Sequence, residues 1–290
     1  MTERPKLTVP DLRARKAAGE KIVMVSVPDF PMAVWAERAG IDILAVGDSL
    51  GMISYGHPNT LPVTLDTMVE HCRAVRRGAE NSFVLVSLPY GSYATPELGV
   101  TSALRLMKEA GADAVKMQGG KEKAPIIRAI ADAGVPVMSH VGMCPHFMHH
   151  YGGFRLQGKT AEAALDLIED GRAIEAAGAV GFEIEAVPAP VAKAIDDAVG
   201  IFTFGIGAGA ASCGQLLLGA DLLGMFDQFK PKFTKRYAQL AETAVEALQT
   251  YAEEVRSGAF PDADHAYAMK SEETDKLQQA LQGNGRTESA

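Results

Sequence analysis

Ile43-Leu44-Ala45-Val46-Gly47-Asp48-Ser49-Leu50-Gly51-Met52 runs four apolar residues straight into a carboxylate, a hydroxyl and two glycines. An uninterrupted apolar run suits a strand buried on both faces, and the polar cluster then falls in the loop at its carboxyl end. The same pattern recurs along the chain. Further candidate strands are Ile22 to Val27, Phe83 to Leu88, Ala114 to Gln118, Val135 to Ser139, Val180 to Glu185 and Ile201 to Gly205, with a weaker run at Asp221 to Met225. Helical patterns lie between them, near 31–39, 64–78, 97–110, 122–133, 160–177, 189–197 and 212–219. Eight strands alternating with helices imply a parallel sheet, and eight is the number that closes into an α/β (βα)8 TIM barrel. Periodicity alone leaves an open doubly wound sheet standing beside it.

Val9 to Gly19 reads as an additional amphipathic helix, with Thr8 as N-cap and Pro10 in its first turn, placed to cover the bottom of a barrel. No linker divides the chain and no repeat of fixed period occurs. The expected organisation is a single barrel domain over residues 1–262 and a polar C-terminal tail over 263–290. Lys235 to Ser257 reads as a long helix with Tyr237, Leu240, Ala241, Ala244, Leu248 and Tyr251 on one stripe. The tail, ending Gln282-Gly283-Asn284-Gly285-Arg286-Thr287-Glu288-Ser289-Ala290, is expected to fray or to pack on a neighbouring subunit.

With 290 residues and 47% hydrophobic content the chain can bury one large core. A net charge of -8 without a lysine and arginine cluster argues against nucleic acid or an anionic membrane as partner. The opening Met1-Thr2-Glu3-Arg4-Pro5-Lys6 lacks an apolar signal core, and no apolar run is long enough to span a bilayer, so a cytoplasmic protein is expected. Cys72, Cys144 and Cys213 form no CxxC pair and read as reduced structural thiols. Gly205-Ile206-Gly207-Ala208-Gly209 lacks the P-loop lysine and the dinucleotide spacing, which leaves backbone packing or closure around a site. The histidines of Cys144-Pro145-His146-Phe147-Met148-His149-His150 match no zinc spacing and read as a loop at the rim of the site.

The opening stretch is followed in order by Gly56-His57, Leu61-Pro62-Val63-Thr64, Ala74 to Ala79, Leu88-Pro89-Tyr90, Tyr93 to Glu97, Val115-Lys116, Gly119-Gly120, Val135-Pro136-Val137, His140, Gly152-Gly153, Gln157-Gly158 and Glu185-Ala186-Val187-Pro188. Across residues 8 to 262 this succession resembles the ketopantoate hydroxymethyltransferase (3-methyl-2-oxobutanoate hydroxymethyltransferase) family. The resemblance implies a barrel of the phosphoenolpyruvate/pyruvate type rather than an open sheet. It also implies pantothenate biosynthesis: a hydroxymethyl group passes from 5,10-methylenetetrahydrofolate to 3-methyl-2-oxobutanoate through an enolate, giving 2-dehydropantoate. The implied cofactor is Mg²⁺ chelated by the keto acid, and the implied assembly is a homo-oligomer, in the family a decamer. An enolate oxygen needs electrostatic stabilisation worth several kcal/mol, which a bound cation can supply.

By the same resemblance Asp48 is a metal ligand, Ser49 holds the substrate carboxylate, Glu185 is the general base and His140 lies near the active site. Asp48 reads otherwise as an N-cap or Asx-turn residue, and Ser49 as a turn serine. Lys116 shares a strand face with Gln118 and Ala114, and an ammonium inside a barrel needs an anion. That anion is the substrate carboxylate or a core acid such as Asp48. Partial burial would raise the pKa of Glu185 into the range useful for proton abstraction, and the competing reading is a hydrogen-bond anchor. For His140, orienting the site or serving the polar core stands beside proton transfer.

The sequence departs from the family where metal ligands belong. Ser87 stands in place of an aspartate and Gln118 in place of a glutamate, which leaves one carboxylate for a hard dication and an expected weak site. Three readings follow: Mg²⁺ captured only with substrate; a shifted site in which Glu183, on the face of Glu185 but deeper, supplies charge; or a different reaction. The last would be a metal-poor lyase or aldolase on a related 2-oxo acid, or a non-catalytic 2-oxo-acid-binding protein. Pro28 and Ser212-Cys213 also depart from the pattern, and their place at strand ends or helix starts points to altered specificity.

Overall fold

The computed structural model describes residues 5–284, so Met1 to Arg4 and the closing 285–290 lie outside the described residues. Eight strands, β1 Ile22–Ser26, β2 Ile43–Val46, β3 Phe83–Ser87, β4 Ala114–Lys116, β5 Val137–Gly142, β6 Gly181–Glu185, β7 Phe202–Ile206 and β8 Gly214–Leu218, close in sequence order into a parallel barrel. The helices are α1 Val9–Ala17, α2 Phe30–Arg38, α3 Leu50–Ile53, α4 Leu65–Gly78, α5 Pro96–Ala110, α6 Ala124–Asp132, α7 Met148–Tyr151, α8 Ala161–Ala176, α9 Ala189–Asp197, α10 Gly219–Leu222, α11 Leu240–Ser257 and α12 Ser271–Asn284. The (βα)8 expectation holds, and the short helices α3 and α7 inside carboxyl-end loops are additions to it.

Alternation along each strand makes two cores. Val25, Leu44, Val46, Val84, Val86, Val115 and Ile184 pack outward under the helices, while Ile22, Met24, Ile43, Phe83, Leu85, Phe202, Phe204 and Leu216 fill the interior. Leu12 of α1 and Leu7 join that interior cluster, so α1 closes the amino end as its amphipathic pattern predicts. Thr8 starts α1, with its N–H donating to Asp11 at 2.9 Å. Several outer helices begin on side-chain caps, among them Asp29 to Met32 N–H at 2.9 Å and Thr95 to Leu98 N–H at 3.3 Å.

The last barrel unit differs from its sequence reading. The stretch expected to be helix near 212–219 is β8, and the run expected as a strand at Asp221 to Met225 begins as α10. Residues 207–213 return beside β7 without a helix, pinned where the Cys213 N–H donates to Thr203 Oγ1 and the Cys213 thiol to the Thr203 carbonyl, at 3.3 and 3.0 Å. The Cys213 carbonyl then accepts the Ile22 N–H at 3.1 Å at the amino end of β1. Ser212-Cys213 therefore sits at the bottom of the barrel, which corrects its reading as a specificity position. Cys213, like Cys72 and Cys144, is a free thiol.

The chain separates into two compact units after Ala238, earlier than the boundary expected at 262. The Tyr237 N–H donates to the Leu222 carbonyl at 2.8 Å, so the long helix begins only at Leu240, and α11 buries none of its residues. The tail expected to fray forms α12 over Ser271–Asn284. Its helix-forming residues, its acids Glu272 and Glu273 in the first turn and its Leu277 and Leu281 four apart account for that. Among the described residues no helix is long and apolar enough to cross a membrane.

Candidate active site

The alternation that fills the amino half of the barrel with apolar side chains delivers polar ones at the carboxyl end. Ser87, Lys116, His140 and Glu183 continue the interior positions of β3 to β6, with Ser87 beside Lys116 and His140 beside Glu183 in register. Gln118 and Glu185 follow one step higher. With Asp48 and Ser49 above β2 they line a single cavity of about 370 Å³, so every sequence-predicted site residue is brought together. Ser26, Arg155 and Asp221 also line it and carried no sequence signal of their own.

Glu185 sits at the mouth of β6 with its side chain 13% exposed to the cavity. Its backbone is fixed from both sides: its carbonyl accepts the Met143 N–H at 2.9 Å, and the Ala186 N–H donates to the Ile206 carbonyl at 2.9 Å. The left-handed φ of +46° at Ala186 costs ~1–2 kcal/mol for a residue with a Cβ, strain the neighbouring strands hold in place. Gly142, at φ +86°, is obligatory because a Cβ there would lie 2.2 Å from the Glu185 carbonyl oxygen. Burial pushes the Glu185 carboxyl up to about 8, against the opposing charge of Lys116.

Lys116 Nζ donates to Glu183 Oε2 at 3.1 Å. The resting anion beside Lys116 is thus Glu183, a core acid other than Asp48, and it lies one step deeper than Glu185 as its place in the sequence implies. Burial would lower the ammonium, but Glu183, Asp48 and Glu185 together hold it above the ordinary lysine value. His140 lies 3.1 Å from Glu185 Oε2 and 3.4 Å from Glu183 Oε2 without in-line hydrogen-bond geometry at either nitrogen. Burial, reinforced by Lys116, lowers its pKa to about 3, so it is a neutral imidazole with one N–H to give.

Asp48 is buried and its carboxylate turns inward instead of capping α3, whose N-cap is Ser49. His146 Nε2 meets Asp48 Oδ2 at 2.7 Å, and His146 Nδ1 meets the Tyr93 hydroxyl at 2.5 Å. Burial would raise the Asp48 carboxyl, yet the charge and hydrogen bond of His146, with Lys116 and its own backbone N–H, hold it well below the usual carboxylate range. His146 also donates its backbone N–H to Gln118 Oε1 at 2.9 Å. The histidine-rich stretch was expected only at the rim. His149 and His150 are exposed, as that expectation has it, but His146 is buried at the centre. The available signal was Pro145, which starts a tight turn directly after a barrel strand.

A hard dication rests on carboxylates and substrate oxygens. Of the three family positions, Asp48 Oδ2 and Gln118 Oε1 are engaged by His146 and Ser87 is a neutral hydroxyl. No group of three or more His, Cys, Asp or Glu among the described residues is placed to hold a metal. These residues do not fit Mg²⁺.

A closed parallel barrel of eight strands is also the fold of several solved enzymes. The crystal structure of 2,3-dimethylmalate lyase, a PEP mutase/isocitrate lyase superfamily member, has a TM-score of 0.58 and 16% identity and covers 97% of this chain and 99% of its own. Oxaloacetate acetylhydrolase has a TM-score of 0.61 and 14% identity, covering 99% of this chain and 100% of its own. At these identities the likeness is one of fold. Residues 6–263 match the ketopantoate hydroxymethyltransferase family, and the chain belongs to that family. It is 50% identical to 3-methyl-2-oxobutanoate hydroxymethyltransferase 1 of Methylibium petroleiphilum over 95% of this chain and 94% of the relative. Identity to the enzyme of that activity from Oleidesulfovibrio alaskensis is 47%, over 96% of each chain.

Proposed function

We propose that the chain transfers a hydroxymethyl group from 5,10-methylenetetrahydrofolate to 3-methyl-2-oxobutanoate, giving 2-dehydropantoate and tetrahydrofolate with water supplying the hydroxyl oxygen. The observation that carries this reading is the gathering of Glu185, Lys116, His140 and Asp48 in one cavity, in a chain of this family. Glu185, with its carboxyl raised to about 8, is strong enough as a carboxylate to take the proton beside the keto group. The electrons move onto the keto oxygen, and the Lys116 ammonium and the neutral His140 N–H are the donors available to that oxyanion. The enolate carbon then attacks the one-carbon unit. Ser49 and Ser87 provide hydroxyls for the substrate carboxylate.

The outer cavity supports the co-substrate. Met52, Phe154, Phe229 and Phe233 line it with Arg155 and Lys232, a setting for a flat heteroaromatic ring with an acidic tail. Purified protein given 3-methyl-2-oxobutanoate and methylenetetrahydrofolate, with Mg²⁺ and separately with chelator, is expected to form 2-dehydropantoate by mass spectrometry. Folded protein that forms none under either condition overturns the assignment in favour of a lyase, aldolase or binding protein.

A further inference from the structure

Two of the acids that face the cavity are already engaged by this chain's own groups. Glu183 is paired with Lys116 at 3.1 Å, and Asp48 accepts from His146 at 2.7 Å. His146 is held there by several independent contacts. Its turn, Pro145–Phe147, follows β5, its ring stacks on Tyr93 with centroids 5.8 Å apart, and Tyr90 meets its edge at 5.6 Å. The partners form one continuous hydrogen-bonded chain. The Gln118 N–H donates to the Tyr93 oxygen at 3.3 Å, the Tyr93 hydroxyl and His146 Nδ1 share one hydrogen bond, and His146 Nε2–H donates to Asp48. The Gln118 side chain completes the loop by accepting the His146 N–H, a task that its amide oxygen performs without adding charge. Ser87, the remaining position, brings no charge either.

We propose that His146 is a positioning residue that replaces a metal bond at Asp48 with an N–H, so that this chain turns over its 2-oxo acid without a divalent cation and meets the oxyanion with Lys116. The inference rests on the oxo-acid reading given above. His146 acts through Asp48: it fixes the carboxylate that in turn faces the Lys116 ammonium inside the cavity. The substitutions Ser87 and Gln118 and the intrusion of His146 are then one coordinated change, since two positions lose the negative charge that would hold a dication and the His146 N–H takes up the third.

The test is a titration of chelator-stripped full-length protein with Mn²⁺, followed by the paramagnetic resonance of the free ion. Wild type is expected to show no saturable binding. Ser87→Asp with Gln118→Glu is expected to gain it, and adding His146→Ala is expected to tighten it at least about ten-fold by freeing Asp48. Saturable Mn²⁺ binding by wild type, or a triple variant no tighter than the double, overturns the inference; a merely structural histidine would produce no such gain. In parallel, product formation is expected at the same rate with chelator as with Mg²⁺. His146→Ala is expected to lower kcat about 100-fold, and His146→Gln, which keeps an N–H donor, to retain more of it. Product formed only with Mg²⁺ defeats the inference and leaves the transferase reading standing. No product under any metal condition defeats the transferase reading, and the Mn²⁺ titration of wild type then decides the inference alone.

Discussion

At the amino end the barrel interior is Ile22, Met24, Ile43, Phe83, Phe202 and Phe204; at the carboxyl end the same alternation of the same strands yields Ser87, Lys116, Gln118, His140, Glu183 and Glu185. The first set is sealed by α1 and needs only volume and apolar surface. The second is buried too, apart from the partly exposed Glu185, and must have partners, because an unpaired charge or donor there costs several kcal/mol. The pairing is uneven across that end. On one side Asp48, His146, Tyr93 and Gln118 form a closed hydrogen-bonded chain; on the other Glu185 and His140 face each other at 3.1 Å with no satisfied hydrogen bond. On the proposed reading the closed side holds position and the open side moves the proton.

Glu185→Gln is the sharpest break of that contrast. It is expected to lower kcat by ~10²–10⁴-fold, the range for loss of a general base. Its melting temperature is expected to hold or rise. The sign follows from the raised carboxyl: the unfolded group ionises near the ordinary 4.5 and the folded one near about 8, so the native state loses stability as pH climbs through that window, and Gln removes the loss. Thermal melts at pH 8 check this. Lys116→Met is expected to cost ~10²–10³-fold in kcat/KM through the lost oxyanion partner. Unlike Glu185→Gln it is also expected to destabilise the fold by ~3–5 kcal/mol in urea unfolding, because Glu183 is left buried and unpaired.

A milder probe is pH. A base that works only when deprotonated gives a kcat/KM that rises with pH and levels off above about 8; a profile flat from pH 6 upward would assign proton abstraction to another group. The smallest effect is expected at the amino end. Ser212 is fully buried with its hydroxyl unpartnered among the described residues, so Ser212→Ala is expected to keep wild-type kcat and KM and to leave stability unchanged or slightly raised. A changed KM would return that position to the substrate side of the molecule.

Much of this was readable in the sequence where local pattern decides the outcome. Short runs that are apolar or alternate located the first seven strands, and that alternation put Lys116, Gln118, Glu183 and Glu185 on interior faces. The eighth strand differs from its sequence reading because Gly214-Gln215-Leu216-Leu217-Leu218 has the apolar content of either element, and its assignment depends on pairing with β1, at the other end of the barrel sequence, as well as with β7. His146 was misread for the same kind of reason. Nothing near it in sequence shows that Asp48 and Tyr93 wait on two other loops, and only closure of the barrel brings the three together.

Hydrogen exchange at C3 of 3-methyl-2-oxobutanoate in D₂O, followed by NMR without folate, isolates proton removal from group transfer. Wild type with chelator is expected to catalyse exchange and Glu185→Gln is expected not to. Exchange that survives Glu185→Gln undiminished, or that wild type cannot catalyse at all, would contradict the assignment of Glu185 as the base in this barrel.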